Sequence, residues 1–359
     1  MSHWRRDLLE FISPGRVRRK AIPPLEAGLR PNTLLEDATV LAEVRPFDDV
    51  ALLGGDVVVT AGRSLLRLGE DGLATVVEFP AAAGALTTTA EGVAVAVEGH
   101  GLSAVMPDGT VSVITADPRL HTCVTALTAL GDGSLLACVG STATGEWARN
   151  LVARDSATGM LLRISDGQVE ELDRGLAWPS GVCDDGEGGF LLSTSVGHRI
   201  ERRSLASPDR AGVPLLDNLP GYPGRITPAS RAGEWWVAMP YLRNRATELI
   251  LEHDELLAEM VGSMEPEAWL VPSLAIENVY RTPLQTGSVR VLGEIKPWAP
   301  SRTYGLVFRV TAEGRVVASA HSRADGRMHG VTGVLECEPG SVVVACRGAG
   351  TILMLGEDR

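Results

Sequence analysis

Two stretches decide the fold: Leu176-Ala-Trp-Pro-Ser-Gly-Val182 and Asn218-Leu-Pro-Gly-Tyr-Pro-Gly-Arg-Ile226. Each places proline and glycine immediately before an apolar, β-prone run. A proline there is confined to the first residue of a strand or the turn before it. Each turn therefore marks a strand mouth, where a loop side chain can point into a pocket. Working outward, the same grammar recurs. Asp56–Thr60, Gly92–Val97, Ser134–Val139, Phe190–Ser193, Trp235–Met239 and Ser341–Cys346 are short apolar runs. Turn signals at Glu70-Asp-Gly72, Pro107-Asp-Gly109, Gly131-Asp-Gly133 and Ala312-Glu-Gly314 punctuate them. Many short strands with Asp-Gly turns read as an all-β chain.

Units recur at about 40–50 residues, the spacing of propeller blades. Six begin near Asp48, Gly84, Cys123, Pro179, Pro223 and Gly330. An irregular sandwich is the alternative. A repeated internal order favours the propeller: apolar strand, Asp/Gly turn, second apolar strand, then a strand ending Arg-Leu or Arg-Ile, as in Leu66-Arg-Leu68 and Leu162-Arg-Ile164. The last unit, ending at Thr351–Leu355, lacks a fourth strand, and Thr39–Val44 is expected to supply it so that no edge is left open. The expected organisation is an N-terminal extension at 1–34 and a six-bladed β-propeller at 35–359, with a partly helical capping insertion at 241–303 in the fifth blade. Helical periodicity over Glu248–Met260 puts Leu249, Leu256 and Met260 on one apolar side. The Pro- and Trp-rich stretch behind it argues for an ordered cap.

The 359 residues are 45% hydrophobic, enough for a large core, and carry a formal net charge of −12. That acidity speaks against nucleic acid as the main partner, since phosphate binding needs clustered Lys and Arg. Cys123, Cys138, Cys183, Cys337 and Cys346 are odd in number, lack metal-ligand spacing and lie in or beside apolar runs, as free thiols do. A reducing, cytoplasmic compartment is expected. No run approaches the ~20 apolar residues of a membrane span. Trp4, Leu8, Leu9 and Ile12 can share one helical face ahead of Arg16, Arg18, Arg19 and Lys20. That segment is either a packed or frayed terminus or a peripheral docking element.

Trp178-Pro-Ser-Gly-Val182, Leu219-Pro-Gly-Tyr-Pro223, Glu234-Trp-Trp-Val-Ala238, Tyr304-Gly-Leu-Val-Phe-Arg-Val310 and Gly330-Val-Thr-Gly-Val-Leu-Glu336 together resemble the strictosidine synthase-like proteins, relatives of the gluconolactonase/regucalcin and paraoxonase propellers. The resemblance spans roughly residues 40–355 and implies a six-bladed propeller. Metal-binding members hold an axial cation, commonly calcium. Carried over position by position, their acidic ligand falls on Asp48, their asparagines on Thr125 and Ser180, and their Asp-Asn pair on Gly224-Arg225. Calcium wants several converging oxygens, and arginine offers only donors. No axial calcium and no other cofactor is therefore expected, with an Arg225–Asp48 ion pair in its place. The alkaloid-forming member's last-blade glutamate falls on Val331 or Thr332, neither of which is a base, so strictosidine synthesis is not expected. Glu336 lies on the same strand.

Asp48, His100 and His329 are the candidate catalytic residues. Thr125, Ser180, Tyr222, Arg225 and Thr332 are the candidate pocket lining. His198 and His321 are expected on the outside. Two function classes stay open. One is a small-molecule enzyme, either a lactone or ester hydrolase or a secondary-metabolism condensation or cyclisation enzyme without strictosidine synthase activity. The other is a non-catalytic propeller that binds a small ligand or a partner protein.

Overall fold

A computed structural model of the chain describes residues 22–153, 155–275, 290–291, 294–295, 302–322 and 326–356. The helical and basic features expected between Trp4 and Lys20 lie outside the described residues, as does much of the expected cap beyond residue 275.

The apolar runs form six four-stranded antiparallel sheets. A lone early strand, β1 (Thr39–Glu43), precedes them. Blade 1 holds β2 (Phe47–Leu53), β3 (Asp56–Ala61), β4 (Ser64–Gly69) and β5 (Gly72–Glu78). Blade 2 holds β6 (Ala83–Thr88), β7 (Val93–Val97), β8 (Gly101–Val105) and β9 (Val111–Thr115). Blade 3 holds β10 (Val124–Ala129), β11 (Leu135–Val139), β12 (Gly159–Ser165) and β13 (Gln168–Leu176). Blade 4 holds β14 (Pro179–Asp184), β15 (Gly189–Thr194), β16 (Arg199–Ser204) and β17 (Val213–Leu216). Next come β18 (Gly221–Tyr222), β19 (Ile226–Pro228), β20 (Glu234–Met239), β21 (Tyr241–Leu242), β22 (Arg290–Val291), β23 (Glu294–Ile295), β24 (Leu306–Thr311) and β25 (Val316–His321). Of these, β19, β20, β24 and β25 make blade 5, while β18 with β21 and β22 with β23 form separate two-stranded sheets. Blade 6 takes β26 (Val331–Glu338), β27 (Ser341–Cys346) and β28 (Thr351–Leu355) from the C-terminus. Its outer strand is β1, paired antiparallel with β28 from Thr39↔Met354 to Glu43↔Thr351. The chain is a six-bladed β-propeller closed by its N-terminal strand.

Burial explains the pattern. The second strands are sandwiched between neighbouring blades, so β7 and β11 are buried at every residue and read as unbroken apolar runs. Outer strands face water: Val113 and Val213 are among the exposed apolar residues. Six apolar clusters fill the six interblade interfaces. One joins Leu191 and Ile200 of blade 4 to Val237 and Phe308 of blade 5. Another closes the ring, with Val50 and Val59 of blade 1 against Val343, Ala345 and Ile352 of blade 6. The Asp-Gly turns need left-handed backbone, as Gly109 (φ 87°) shows.

A seventh cluster lies above the ring. It joins Trp147 and Leu151 to Trp178, Tyr222, Met260, Trp269 and Val271. Three helices build it: α1 (Trp147–Val152), inserted between β11 and β12, and α2 (Arg245–Glu252) and α3 (Asp254–Ser263), inserted in blade 5. The single helix expected over Glu248–Met260 is broken at His253, whose extended backbone (φ −110°, ψ 101°) resets the helix direction. Leu249 and Leu256 are consequently exposed, and only Met260 of the expected stripe is buried. Among the described residues, no helix is long and apolar enough to cross a membrane.

Removing residues through Glu43 should leave the backbone groups of β28 unsatisfied at a blade edge. The shortened chain is expected to melt earlier and to elute as higher oligomers in size-exclusion chromatography. A monomer with an unchanged Tm would contradict closure through β1.

Candidate functional site

The heads of the inner strands converge on the ring axis, and five of the six carry a register irregularity there. The shifts fall between Phe47 and Val50, Ala83 and Leu86, Val124 and Ala126, Pro179 and Gly181, and Val331 and Gly333. A β-bulge takes a residue out of its ladder and re-aims it. The bulged residues include Asp48, Asp49, Thr125, Ser180 and Thr332. The sixth inner strand begins at Ile226, one residue after Arg225.

Hydroxyls from these strands and from β3 stitch blade to blade. Thr60 donates to the Gly84 carbonyl (2.7 Å), Thr125 to Pro179 (2.6 Å), Ser180 to Pro223 (2.6 Å), Thr227 to Val334 (2.9 Å) and Thr332 to Asp48 (2.9 Å). Gly181 permits a close approach, because a Cβ there would meet the Gly224 carbonyl oxygen at 2.3 Å. The Pro-Ser-Gly sequence is thus a packing requirement as well as a turn.

Arg225 crosses the axis. Its Nε donates to the Thr125 carbonyl (2.9 Å) and lies 3.1 Å from Asp49 Oδ2. One terminal nitrogen donates to the carbonyls of Asp48 (2.8 Å) and Thr332 (3.3 Å), and the other to Asp48 Oδ2 (2.5 Å). Arg347 binds the second carboxylate oxygen of Asp48. Burial opposes ionisation of Asp48, but Arg225 and Arg347 outweigh it and hold the carboxyl below its ordinary range. Asp49 goes the other way. Burial pushes it up to about 6, helped by the adjacent Asp48 charge and resisted by Arg225 and by hydrogen bonds from the Leu86 and Val50 amides.

Above this floor lies a cavity of about 550 Å³. Asp48, Thr125, Ser180, Arg225, Thr332 and Arg347 line its base, with Trp147, Trp178 and Tyr241 in its walls and Pro272–Ala275 at its side. The walls are rigid. Trp147 stacks on Tyr241 at 3.9 Å and donates from Nε1 to Ser195 Oγ (3.1 Å). Trp178 adopts a left-handed backbone (φ 54°), costly for a bulky residue. Gly140 makes room for it, since a Cβ there would meet Trp178 Cε2 at 2.9 Å. Cys123 also lines the cavity, and burial pushes its thiol up to about 11, so it is no thiolate nucleophile.

Three expected positions fall elsewhere. His100 is exposed at the tip of the β7–β8 hairpin, one strand out from the axis. His329 is buried beside a second cavity of about 700 Å³ near Arg45 and Arg327, with Nδ1 2.6 Å from Thr303 Oγ1. Tyr222 is wholly buried behind the wall, edge-on to Trp147, and its hydroxyl donates to Glu248 (3.0 Å), which also pairs with Arg243. His198 and His321, expected outside, are fully buried. Gly221 and Tyr222 hold the first, and the Tyr304 hydroxyl holds the second. Glu336 sits far along β26 from Thr332 and accepts from Ser230, Trp236 and Gly340. Sequence reasoning missed Asp49, Arg347 and the α1 insertion with Trp147. The Asp48-Asp49 pair was in plain view, but only the bulge brings both carboxylates to the axis.

The donor set does not suit a resident axial cation. The strand-head oxygens are engaged by a guanidinium, which carries positive charge and has no lone pair to give. Among the described residues, no three His, Cys, Asp or Glu side chains converge as metal ligands do.

The fold has solved counterparts. It is shared with regucalcin, a calcium-binding protein from Agrobacterium tumefaciens (TM-score 0.56, 12% identity, 89% of this chain and 93% of that one). A gluconolactonase from Xanthomonas campestris gives 0.52 at 13% identity over 88% of both chains. A PQQ-bound aldose sugar dehydrogenase from Streptomyces coelicolor gives 0.52 at 12% identity, covering 89% and 96%. At these identities the likeness is one of fold. No protein-family model and no curated protein matches the sequence.

Asp49 makes stability depend on pH. Its folded pKa is raised, so its stabilising contribution is complete below about pH 4 and is lost as pH rises through about 6. Relative to Asp49→Asn, the wild type should lose up to roughly 3 kcal/mol between those limits. Urea titrations of both proteins across the window test this. A difference that is flat with pH would show that Asp49 does not titrate there.

Proposed function

We propose that the chain binds a small organic molecule with a carbonyl-bearing head, a lactone or ester by chemical class, in the axial chamber, and that it does so without a metal. The carrying observation is one chamber that combines aromatic walls with a half-tethered guanidinium. Arg347 is held by Asp48, yet its side chain remains 43% exposed. Trp147, Trp178 and Tyr241 offer flat apolar surface to a ring or chain. Arg347 offers donors to an oxygen. The resemblance to strictosidine synthase-like proteins supports a small-molecule role. The residues at the last-blade base position, Val331 and Thr332, support the absence of their named condensation. Five free thiols support a reducing compartment.

Hydrolysis is the chemistry this floor favours. Arg347 would stabilise the oxyanion that forms as water attacks the carbonyl carbon. Asp48 would take the water's proton. Its low pKa makes it a weak base that stays ionised well into acid, so turnover should be slow and nearly flat from neutral pH down to about pH 5. One observation favours a purely binding role: among the described residues, no histidine lines the chamber.

Calorimetry and hydrolysis assays on a panel of lactones and aryl esters separate the two. Trp147→Ala and Arg347→Ala should each weaken binding by about tenfold or more. Asp48→Asn should abolish turnover while leaving a bound complex. Turnover that survives Asp48→Asn removes the hydrolytic role of Asp48. A panel that neither binds nor reacts removes the whole proposal. Chelator should leave binding and Tm unchanged, and a strong calcium-dependent rise in Tm would contradict metal independence.

A further inference from the structure

We infer that the second cavity, of about 700 Å³ beside the closure of blade 6, is a binding site for an organic monocarboxylate held by Arg45 and Arg327. It shares Leu274 and Ala275 with the axial chamber and, among the described residues, nothing else, so one thin wall divides the two. Closure of the ring builds this cavity. Val44 and Arg45 come from the link after β1, Gly348–Gly350 from the turn between β27 and β28, and Arg327–His329 from the loop ahead of β26. These pieces hold one another in place. The Val44 amide donates to the Gly350 carbonyl (2.9 Å) and the Ala349 amide to the His329 carbonyl (3.2 Å). Arg45 donates to the Ala349 carbonyl and lies against Gly350, where a Cβ would strike its side chain. Glu36 accepts from the amides of Arg327 (2.9 Å) and Met328 (3.0 Å), which fixes the loop carrying Arg327. Gly348 leaves room for the Leu274 carbonyl, and so seats the dividing wall.

Charge and size name the occupant. Neither Arg45 nor Arg327 forms an ion pair among the described residues, and Arg45 commits its guanidinium only to the Ala349 carbonyl. The lining holds one carboxylate, Glu43, exposed on β1. Two arginines against one glutamate make a positive pocket in a chain of formal net charge −12. A guanidinium matches a carboxylate through two parallel hydrogen bonds. The volume is far too large for a bare ion and falls within the ordinary range of small-molecule pockets, about 300–1,000 Å³. Val40, Val44, Leu274 and Met328 offer aliphatic surface to the rest of the molecule. The buried pair of Thr303 and His329, 2.6 Å apart, supplies a polar end. A small organic acid with a single carboxylate satisfies the charge, the volume and the apolar wall together.

The test is calorimetry on the full chain with hexanoate through dodecanoate, benzoate and naphthoate, the matching primary amides, and inorganic phosphate. At least one acid should bind saturably at one site, and its amide about tenfold more weakly or not at all. Arg327→Gln should weaken the acid by about tenfold, whereas Glu43→Gln should tighten it by relieving repulsion at the rim. Arg327 is exposed, so its variant should keep the wild-type Tm and remain readable even if Arg45→Gln loosens the closure. Arg347→Ala and Trp147→Ala report on the axial chamber and should leave acid binding unchanged, so this site and the axial reading can fail separately. Acid binding that is lost in either axial variant but kept in Arg327→Gln would overturn the inference. So would a panel in which no acid binds, or phosphate binding as tightly as the best acid.

Discussion

The grip of Arg225 on the axis is the constraint around which the molecule is arranged. Apolar clusters hold each blade to its neighbours, but they act pairwise around the circumference. The guanidinium is different. From blade 5 it reaches blades 1, 3 and 6 at once. Such a group is stable only where every donor finds an oxygen, because burying an unmatched guanidinium is far costlier than leaving it in water. The bulges supply those oxygens, and the small Thr, Ser and Gly residues at the strand heads let the blades approach closely enough to present them.

This fixed charge also shapes the chamber above it. Asp48 is held ionised from below by Arg225 and from the side by Arg347. The floor therefore presents a matched pair of charges to any occupant and not a naked carboxylate. The walls are set by an independent device, the aromatic cluster joining the blade 3 and blade 5 insertions. Trp147 belongs to one insertion and Tyr241 to the other, and their stacking fixes the chamber's width.

Fold and site were legible to different degrees, for physical reasons. Blade count, the β1 closure and the inner-strand starts follow from short-range pattern. Apolar runs, Asp-Gly turns and proline at strand mouths are local signals, and a sandwiched strand cannot hide its composition. The Arg225–Asp48 pair was legible through the family resemblance, which puts both residues at positions that hold the axial metal in its metal-binding members. What escaped depended on geometry without a local signature. A bulge leaves little trace in sequence, so Asp49 looked like the neighbour of the site and not part of it. The distance of His100 from the axis is a question of which strand of a blade it tips. Tyr222 and His329 stand close to the right place in sequence, yet Glu248 and Thr303 draw their side chains into other contacts. The α1 insertion carries too few residues for a helical period to show, and Trp147 gave no sign of its partner almost a hundred residues away.

The closure of blade 6 has a consequence for how the molecule comes into being. β1 leaves the ribosome before every blade strand that follows it and β28 after them all, and their pairing joins segments far apart in the chain, Thr39 opposite Met354. Blades 1 to 4 complete themselves from consecutive strands and can form as they are made. The ring cannot. Until Thr351–Leu355 emerges, β1 has no sheet to join. The nascent propeller is therefore an open arc with a free strand at its start, and its last act of folding is the capture of its own beginning. The slow, long-range step waits until every blade strand has been made.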